Sequence, residues 1–305
     1  MKPQKSTKGA KDFSKQVARR ILPEKTYRQL ADKLRGGPPA DVAAALRHAI
    51  ENQMLSDESL LEIRNAINIK RRMDYAPQDI YLHVDSSTEL QTRLRSCAKE
   101  PDTVEWIESM KPGDTFYDIG ANVGAYTLIA AKAFGGRVKV FAFEPAFLNF
   151  TQLCRNLALN QCQDSVTPLS IALSDKTSLD SFNYHDLIPG SALHTLGEAI
   201  DYKGDRFEPA LKQSVLSFKT DDLIAQFDLP RPTHIKIDVD GIEFLVLKGA
   251  DQTLSDGTLR SIVVELEAGE SEQQITGYLV QKGFRLDARH GRQTPGMFNC
   301  IFVRA

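Results

Sequence analysis

Three acidic residues stand where an apolar run stops. Asp118 follows Phe116-Tyr117, Glu144 follows Val140-Phe141-Ala142-Phe143, and Asp238 follows Ile235-Lys236-Ile237. Asp118 opens the turn Asp118-Ile119-Gly120-Ala121-Asn122-Val123-Gly124. Acid, glycine turn and helix start, in that order, are how a strand hands a nucleotide-like group to a helix N-terminus. A carboxylate at Glu144, followed by Pro145, can take both hydroxyls of an adenosine ribose. A nicotinamide dinucleotide wants Gly-x-Gly-x-x-Gly, so that backbone approaches a pyrophosphate. Here Asn122 replaces the middle glycine, and Asp118 would repel a pyrophosphate. An acid at that place suits the ammonium of a methionine moiety, with Asn122 as a neutral donor and acceptor. The cofactor these residues call for is S-adenosylmethionine rather than NAD.

Such residues need elements to hold them. From residue 114 onward the sequence alternates strand and helix patterns. Strands fit near 114–119, 138–143, 165–172, 233–238 and 259–266, and two more near 284–288 and 297–304. Helices fit near 123–134, 146–160, 219–227, 241–251 and 271–282. This predicts an α/β fold with a mainly parallel sheet and helices on both faces. Ligands in such sheets bind beyond the carboxyl ends of the strands, where Asp118, Glu144 and Asp238 would gather. Residues 174–217 form a long gap in the alternation. We expect an irregular insertion there that covers the substrate as a lid, with Phe182, Tyr184, Leu187 and Phe207 supplying its aromatic and apolar surface.

Upstream, Ile80-Tyr81-Leu82-His83-Val84 reads as a strand and Val104-Glu105-Trp106-Ile107 as part of a helix. Before these the chain reads as an N-terminal helical extension, 1–75, distinct from a catalytic domain over 76–305. Residues 1–11 read as disordered. Residues 12–35 read as two helices divided at Pro23. Asp41 would cap a helix carrying Val42, Leu46, Ala49 and Ile50, and another helix fits 57–72. The extension could pair copies of the chain or narrow access to the acceptor.

The 305 residues are 42% hydrophobic, enough for a sizeable core. The net charge of −2 excludes a general polyanion binder. Residues 1–35 nevertheless hold eleven Lys/Arg against three Asp/Glu, so a basic head precedes an acidic body. Cys97, Cys154, Cys162 and Cys300 form no Cys-x-x-Cys pair and no His cluster joins them, which argues against zinc and for a reducing compartment. There is no signal-peptide core and no apolar stretch long enough to span a bilayer, so the expected location is cytoplasmic.

The ordered motifs resemble the FkbM-type family of S-adenosylmethionine-dependent methyltransferases. The resemblance rests on Asp118 to Gly124, Phe143-Glu144-Pro145, Asn156 to Asn160, Ala172-Leu173-Ser174-Asp175 and Lys236 to Glu243. It continues through Leu247-Lys248-Gly249-Ala250, Val263-Val264-Glu265-Leu266 and the upstream Glu100-Pro101. It spans about residues 80–305. It implies the class I methyltransferase fold, a Rossmann-like seven-stranded sheet whose last strand is antiparallel. It also implies transfer to oxygen, often a hydroxyl of a sugar or natural product, and leaves the acceptor open. Carried over by position, Asp118, Gly120, Asn122 and Gly124 resemble the loop on the methionine side, and Glu144 the ribose ligand. Pro145 and Ala146 would flank the adenosine, with Ala172 beside the adenine ring. Asp238 would lie near the sulfonium and the acceptor.

Methyl transfer to a hydroxyl needs alignment and a place for the proton. The candidates are His194 in the insertion, Asp238, and Glu265 at the end of the fifth strand. Asp238, Asp240, Glu265 and Glu267 could form a carboxylate site for a hard divalent cation, but at most one of each pair is expected to face the site, so no metal is assigned. Two other functions stay open at this point, a nucleic-acid methyltransferase and a non-catalytic S-adenosylmethionine-binding domain. Against the first, the core has no basic run interleaved with aromatics, so no specific nucleic acid is expected.

Overall fold

A computed structural model describes residues 42–201 and 204–305. The features expected of residues 1–41, namely the basic tail, the two helices around Pro23 and the Asp41 cap, lie outside the described residues. The chain divides into two compact units, the first ending at Ile69 and the second running from Lys70 to Ala305.

In the first unit, helix α1 (Val42–Glu51) and helix α2 (Asp57–Ala66) close over a small cluster of Ala49, Leu55 and Ile63. The Ser56 hydroxyl caps α2 by accepting from the Ser59 amide. The helix expected over 57–72 ends early. Ile67-Asn68-Ile69 is a β-favouring run, and strand β1 (Lys70–Arg72) follows. This strand pairs antiparallel with β2 (Tyr81–His83). Residues 70–75, expected in the N-terminal extension, therefore pack with the second unit, where Met73 and Tyr75 are buried in the core.

A helical passage follows, built of α3 (Ser87–Gln91), a 3-10 turn (Arg93–Arg95), α4 (Ser96–Lys99) and α5 (Pro101–Glu108). Then come β3 (Thr115–Ile119), α6 (Ala125–Ala133), β4 (Lys139–Phe143), α7 (Phe147–Asn160) and β5 (Val166–Leu169). The insertion region holds β6 (Ala172–Leu173), β7 (Ser178–Tyr184), β8 (Thr195–Leu196) and β9 (Leu211–Phe218). The chain continues through α8 (Thr220–Phe227), β10 (His234–Ile237), α9 (Glu243–Gly249), α10 (Asp251–Ser255), β11 (Ser261–Glu267) and α11 (Glu270–Gln281). It closes with β12 (Phe284–Gly291) and β13 (Met297–Arg304).

The main sheet has seven strands in the order β12-β13-β11-β10-β3-β4-β5. The five strands from β11 to β5 are parallel, and β13 runs antiparallel to β11. This is the class I methyltransferase arrangement. From β3 the chain winds outward to β4 and β5, then returns to the other side of β3 for β10 and β11, so the topological switch lies between β3 and β10. Strand parity sorts the side chains. Phe116, Val140 and Val263 face the layer containing Trp106, Leu128 and Leu153 of α5 to α7. Tyr117, Phe141 and Ile235 face the layer containing Leu223, Val246 and Ile275 of α8, α9 and α11. Each such buried side chain contributes about 1.5–3 kcal/mol, and together they fix the sheet edge that carries the acids.

Two expectations change here. The strand expected over 165–172 breaks after Leu169, and Ala172 joins a different sheet. The insertion is not irregular. Strands β6, β9, β7 and β8 form a second, four-stranded sheet whose inner face buries Phe182, Tyr184 and Val215. Asp180, Ser181 and Asn183 dilute the alternating apolar signal of β7, which hides the strand in the sequence. The helix expected over 241–251 also divides, at Gly249-Ala250. A Cβ on Gly249 would lie 1.9 Å from the Ser174 carbonyl oxygen, so only glycine lets this helix end meet the strand beside it.

Candidate active site

Beyond the switch point, the turn after β3 and the loop after β10 touch. A Cβ on Gly120 would lie 1.9 Å from the Asp238 carbonyl oxygen, and Gly120 itself sits at φ +81°. A cavity of about 410 Å³ opens over this contact. Its size is that of an ordinary small-molecule site.

One end is built on β3, β4 and β6. The Glu144 side chain, at the end of β4, lies in the cavity wall. Its Oε2 accepts from the Asn122 amide at 2.7 Å and its Oε1 from the Ala146 amide at 2.8 Å. These bonds fix the carboxyl group and leave lone pairs for a ligand. Burial pushes its pKa up to about 7, against the pull of the two amides. Gly120, Asn122, Pro145 and Ala172 also line this end, beside an apolar slot of Phe143, Ile171, Leu173 and Phe182. A carboxylate over an apolar slot can take the vicinal hydroxyls of a nucleoside with its base in the slot.

Asp118 does not line the cavity, contrary to the sequence expectation. It shares the parity of Phe116 and therefore points under α6, fully buried. Its Oδ2 accepts from the Thr127 hydroxyl at 2.5 Å, while its Oδ1 reaches Lys236 Nζ only at 3.8 Å. Burial raises its pKa, with Lys236 opposing. Gly124 is not in the wall either. It sits at φ +88° ahead of α6, where an added Cβ would meet Leu153.

The other end carries charge. Lys236 is the register partner of Asp118 on β10, and its Nζ bonds Asp238 Oδ2 at 3.0 Å. Burial would raise Asp238, but Lys236, with Lys99 and Arg292 behind it, holds it below the usual carboxylate range. Glu265, one strand across, also lines the cavity. Burial and the Asp238 charge push Glu265 above the usual carboxylate range, with its ion-pair partner Arg292 opposing. Arg292 pairs with both Glu265 and Glu100, the latter at 2.8 Å. No sequence pattern marks Arg292, which comes from the turn between β12 and β13. Lys236 stood inside a recognised motif, and only the strand register reveals its role.

The loop between β7 and β8 forms the remaining wall. The Ser191 carbonyl accepts from Asn122 Nδ2 at 2.8 Å and Asn149 Nδ2 at 3.1 Å. Arg93 donates twice to the Gly190 carbonyl, at 2.9 and 2.7 Å, and the Gly190 amide donates to Asn149 Oδ1 at 2.8 Å. The Leu193 amide donates to Asp240 Oδ2 at 2.7 Å. His194 lines the cavity, but its Nδ1 accepts from the His185 amide at 3.2 Å. Burial lowers its pKa to about 4, so the ring is neutral and its proton sits on Nε2. Of the aromatics expected in a lid, Phe182 faces the cavity. The Tyr184 hydroxyl is instead occupied by the Phe147 amide and Gln213, Phe207 packs on His185, and Leu187 is exposed.

The expected division of Asp238 and Asp240 to opposite faces fails on strand geometry itself, since residues two apart share a face. The strand stops at Ile237 and Asp240 takes φ +57°, so both acids line the cavity. Among the described residues, no group of three or more His, Cys, Asp or Glu is arranged to hold a metal ion. No helix among them is long and apolar enough to cross a membrane.

Comparison with known proteins places this geometry. The profile described as the methyltransferase FkbM domain matches residues 118–286. The methyltransferase sdnD of Sordaria araneosa is 30% identical over 219 residues, covering 65% of this chain and 84% of that protein. The hexuronic acid methyltransferase AglP of Haloferax volcanii is 26% identical over 188 residues, covering 61% and 70%. The 31-O-demethyl-FK506 methyltransferase FkbM of Streptomyces tacrolimicus is 26% identical over 175 residues, covering 52% and 66%.

Proposed function

The chain belongs to the FkbM family of methyltransferases, and on that premise we propose that it methylates a hydroxyl oxygen of a sugar-like or natural-product small molecule, with S-adenosylmethionine as donor. The observation that carries this reading is Glu144, set in the cavity wall by two backbone amides above an apolar slot, at one end of a cavity whose other end is acidic. When bound, S-adenosylmethionine supplies a methyl group on a positively charged sulfur. The chain's own residues fit such a ligand. Glu144 receives the ribose hydroxyls, Pro145 sits beside the adenosine and Ala172 beside the adenine ring, and the Gly120–Asn122 turn supports the methionine part, while Ala146 is buried outside the cavity wall. Asp238 provides negative charge where the sulfonium would lie. Asp118 acts from beneath, by fixing Lys236 and α6 rather than by touching the ligand.

His194 is better suited to donate a hydrogen bond through Nε2 than to accept a proton, because its other nitrogen is already occupied. Glu265 is paired with Arg292 and so is poorly placed to take the proton. That AglP is a hexuronic acid methyltransferase and FkbM a 31-O-demethyl-FK506 methyltransferase supports a small-molecule acceptor, with oxygen as the methylated atom in the second case. The second unit holds every residue of the cavity, so residues before Lys70 are dispensable for cofactor binding in this reading.

The test is calorimetry with S-adenosylhomocysteine and NAD, followed by transfer from tritiated S-adenosylmethionine to a panel of uronosides, neutral glycosides, macrolide alcohols and RNA. Binding of S-adenosylhomocysteine alone, with label in a small-molecule ether, supports the reading. Label in RNA, NAD binding, or binding without transfer to any member of the panel overturns it.

A further inference from the structure

Four of the titratable side chains that line the cavity are Asp238, Glu265, His194 and Asp240, and the first three are committed elsewhere. Asp238 is bonded to Lys236. Glu265 is paired with Arg292. The free lone pair of His194 is taken by the His185 amide. The fourth is Asp240. Its Oδ2 accepts from the Leu193 amide at 2.7 Å, and among the described residues no hydrogen bond reaches its Oδ1. The residue is partly exposed, and its side chain lines the cavity.

We propose that Asp240 is the general base that accepts the proton of the attacking hydroxyl. The proposal rests on the oxygen-methylation reading above. As the acceptor oxygen bonds to the methyl carbon, the sulfur–carbon bond breaks and its electron pair stays on sulfur. The hydroxyl proton passes to Asp240 Oδ1 and is then released to water. The backbone aims the group at this task. Asp240 is held at φ +57°, in the left-handed region that short polar residues tolerate, and this turns its side chain back over the strand ends. The Leu193 amide fixes one oxygen, which leaves the other facing the cavity.

The surroundings tune it. Burial and the neighbouring Asp238 carboxylate raise Asp240 to about 6, while the Leu193 amide, Arg93 and Lys99 oppose the shift. Two further carboxyl groups lie near it, Glu144 from the end of β4 and Glu243 from the start of α9, and each is raised in part by the Asp240 charge. An acid near 6 is ionised at neutral pH yet more basic than a free aspartate, which is the balance a general base needs.

The test uses the full chain and its Asp240→Asn variant, since asparagine keeps the left-handed conformation and the shape. Carbon-13 spectra of aspartate-labelled protein identify Asp240 as the resonance lost in the variant. Its expected midpoint is near pH 6. A midpoint at or below the ordinary value of about 4 overturns the proposal, and this titration needs no acceptor. Methyl β-glucuronide and methyl β-glucoside then serve as acceptor probes with tritiated S-adenosylmethionine. Transfer by Asp240→Asn should fall about 100-fold or more, while S-adenosylhomocysteine binds as to the parent. Transfer at the parent rate overturns the role of Asp240 alone. A parent chain that fails to bind S-adenosylhomocysteine overturns the methyltransferase reading instead.

Discussion

Replacing Lys236 with methionine should destabilise the second unit strongly, and in a way that acid partly repairs. Lys236 Nζ lies 3.0 Å from Asp238 and 3.8 Å from Asp118, and its side chain is buried. At an effective dielectric of about 20, unit charges at those separations attract by about 5.5 and 4.4 kcal/mol. Desolvation of the three groups offsets much of that. Removing one member of such a buried set nevertheless leaves uncompensated charge, at a cost of about 3–5 kcal/mol. The pH dependence follows from the directions of the shifts. In the parent, Lys236 is raised above its ordinary value by Asp238 and Asp118, so its contribution is complete below about pH 10 and is lost only as pH rises through the folded value. Asp238 is depressed, so its contribution is present above about pH 4 and is lost as pH falls through its folded value. Between those limits this pair adds no slope. In Lys236→Met the cation is gone, and Asp118, already raised by burial, rises further. Each carboxyl titrating in the accessible range then regains about 1.4 kcal/mol per pH unit as pH falls. The assay is urea unfolding at pH 8 and pH 5, read by the fluorescence of Trp106. This is the chain's single tryptophan, and it is buried against Phe116. A loss under about 1 kcal/mol at pH 8, or a loss that does not shrink at pH 5, would refute the argument that Lys236 neutralises two buried acids.

Glu144→Ala should weaken S-adenosylhomocysteine binding by about 1–3 kcal/mol in calorimetry. Because burial raises Glu144 to about 7, the parent's own affinity should decline as pH drops through that value, and the variant should lack the decline. Asn149→Ala removes the acceptor of the Gly190 amide and one donor to the Ser191 carbonyl. Hydrogen exchange at Gly190 should accelerate by about tenfold, the equivalent of about 1.4 kcal/mol of local opening, and unchanged exchange would show that the loop is held without Asn149.

The alternation of strand and helix, and the acids at strand ends, were legible because a parallel sheet leaves a periodic trace and ends its strands at its ligands. Two kinds of feature were not. The first is direction. Asp118 and Glu144 both follow apolar runs, yet Asp118 falls on the parity of Phe116 and turns under α6, while Glu144 lies beyond β4 and reaches the cavity. Counting alternate residues back from Asp118 would have signalled this. Asp240 was misjudged because the period of two was misapplied: residues two apart share a strand face, and Asp240 in any case lies beyond the last strand residue, Ile237. The second is distance along the chain. Arg292 reaches Glu265 and Glu100, and Ser191 reaches Asn122 and Asn149, through contacts that no local pattern encodes. The small sheet of the insertion was hidden because its strands carry serine, aspartate and asparagine where apolar alternation would have marked them.

The antiparallel strand β13 lies between β11 and β12, and this fixes a timetable for synthesis. Asn299, on β13, bonds the Glu100 carboxylate across 199 residues. Arg292 reaches the same group. At about 5–20 residues per second, Glu100 leaves the ribosome roughly 10–40 s before Asn299 exists. Through that interval the carboxylate has only its local partners, the Thr103 hydroxyl at 3.2 Å and Lys99 Nζ at 3.3 Å, and lacks the two distant groups that complete its burial. The growing protein therefore gains nothing by closing early over Glu100, and the charged end of the cavity is the last part of the chain to be assembled.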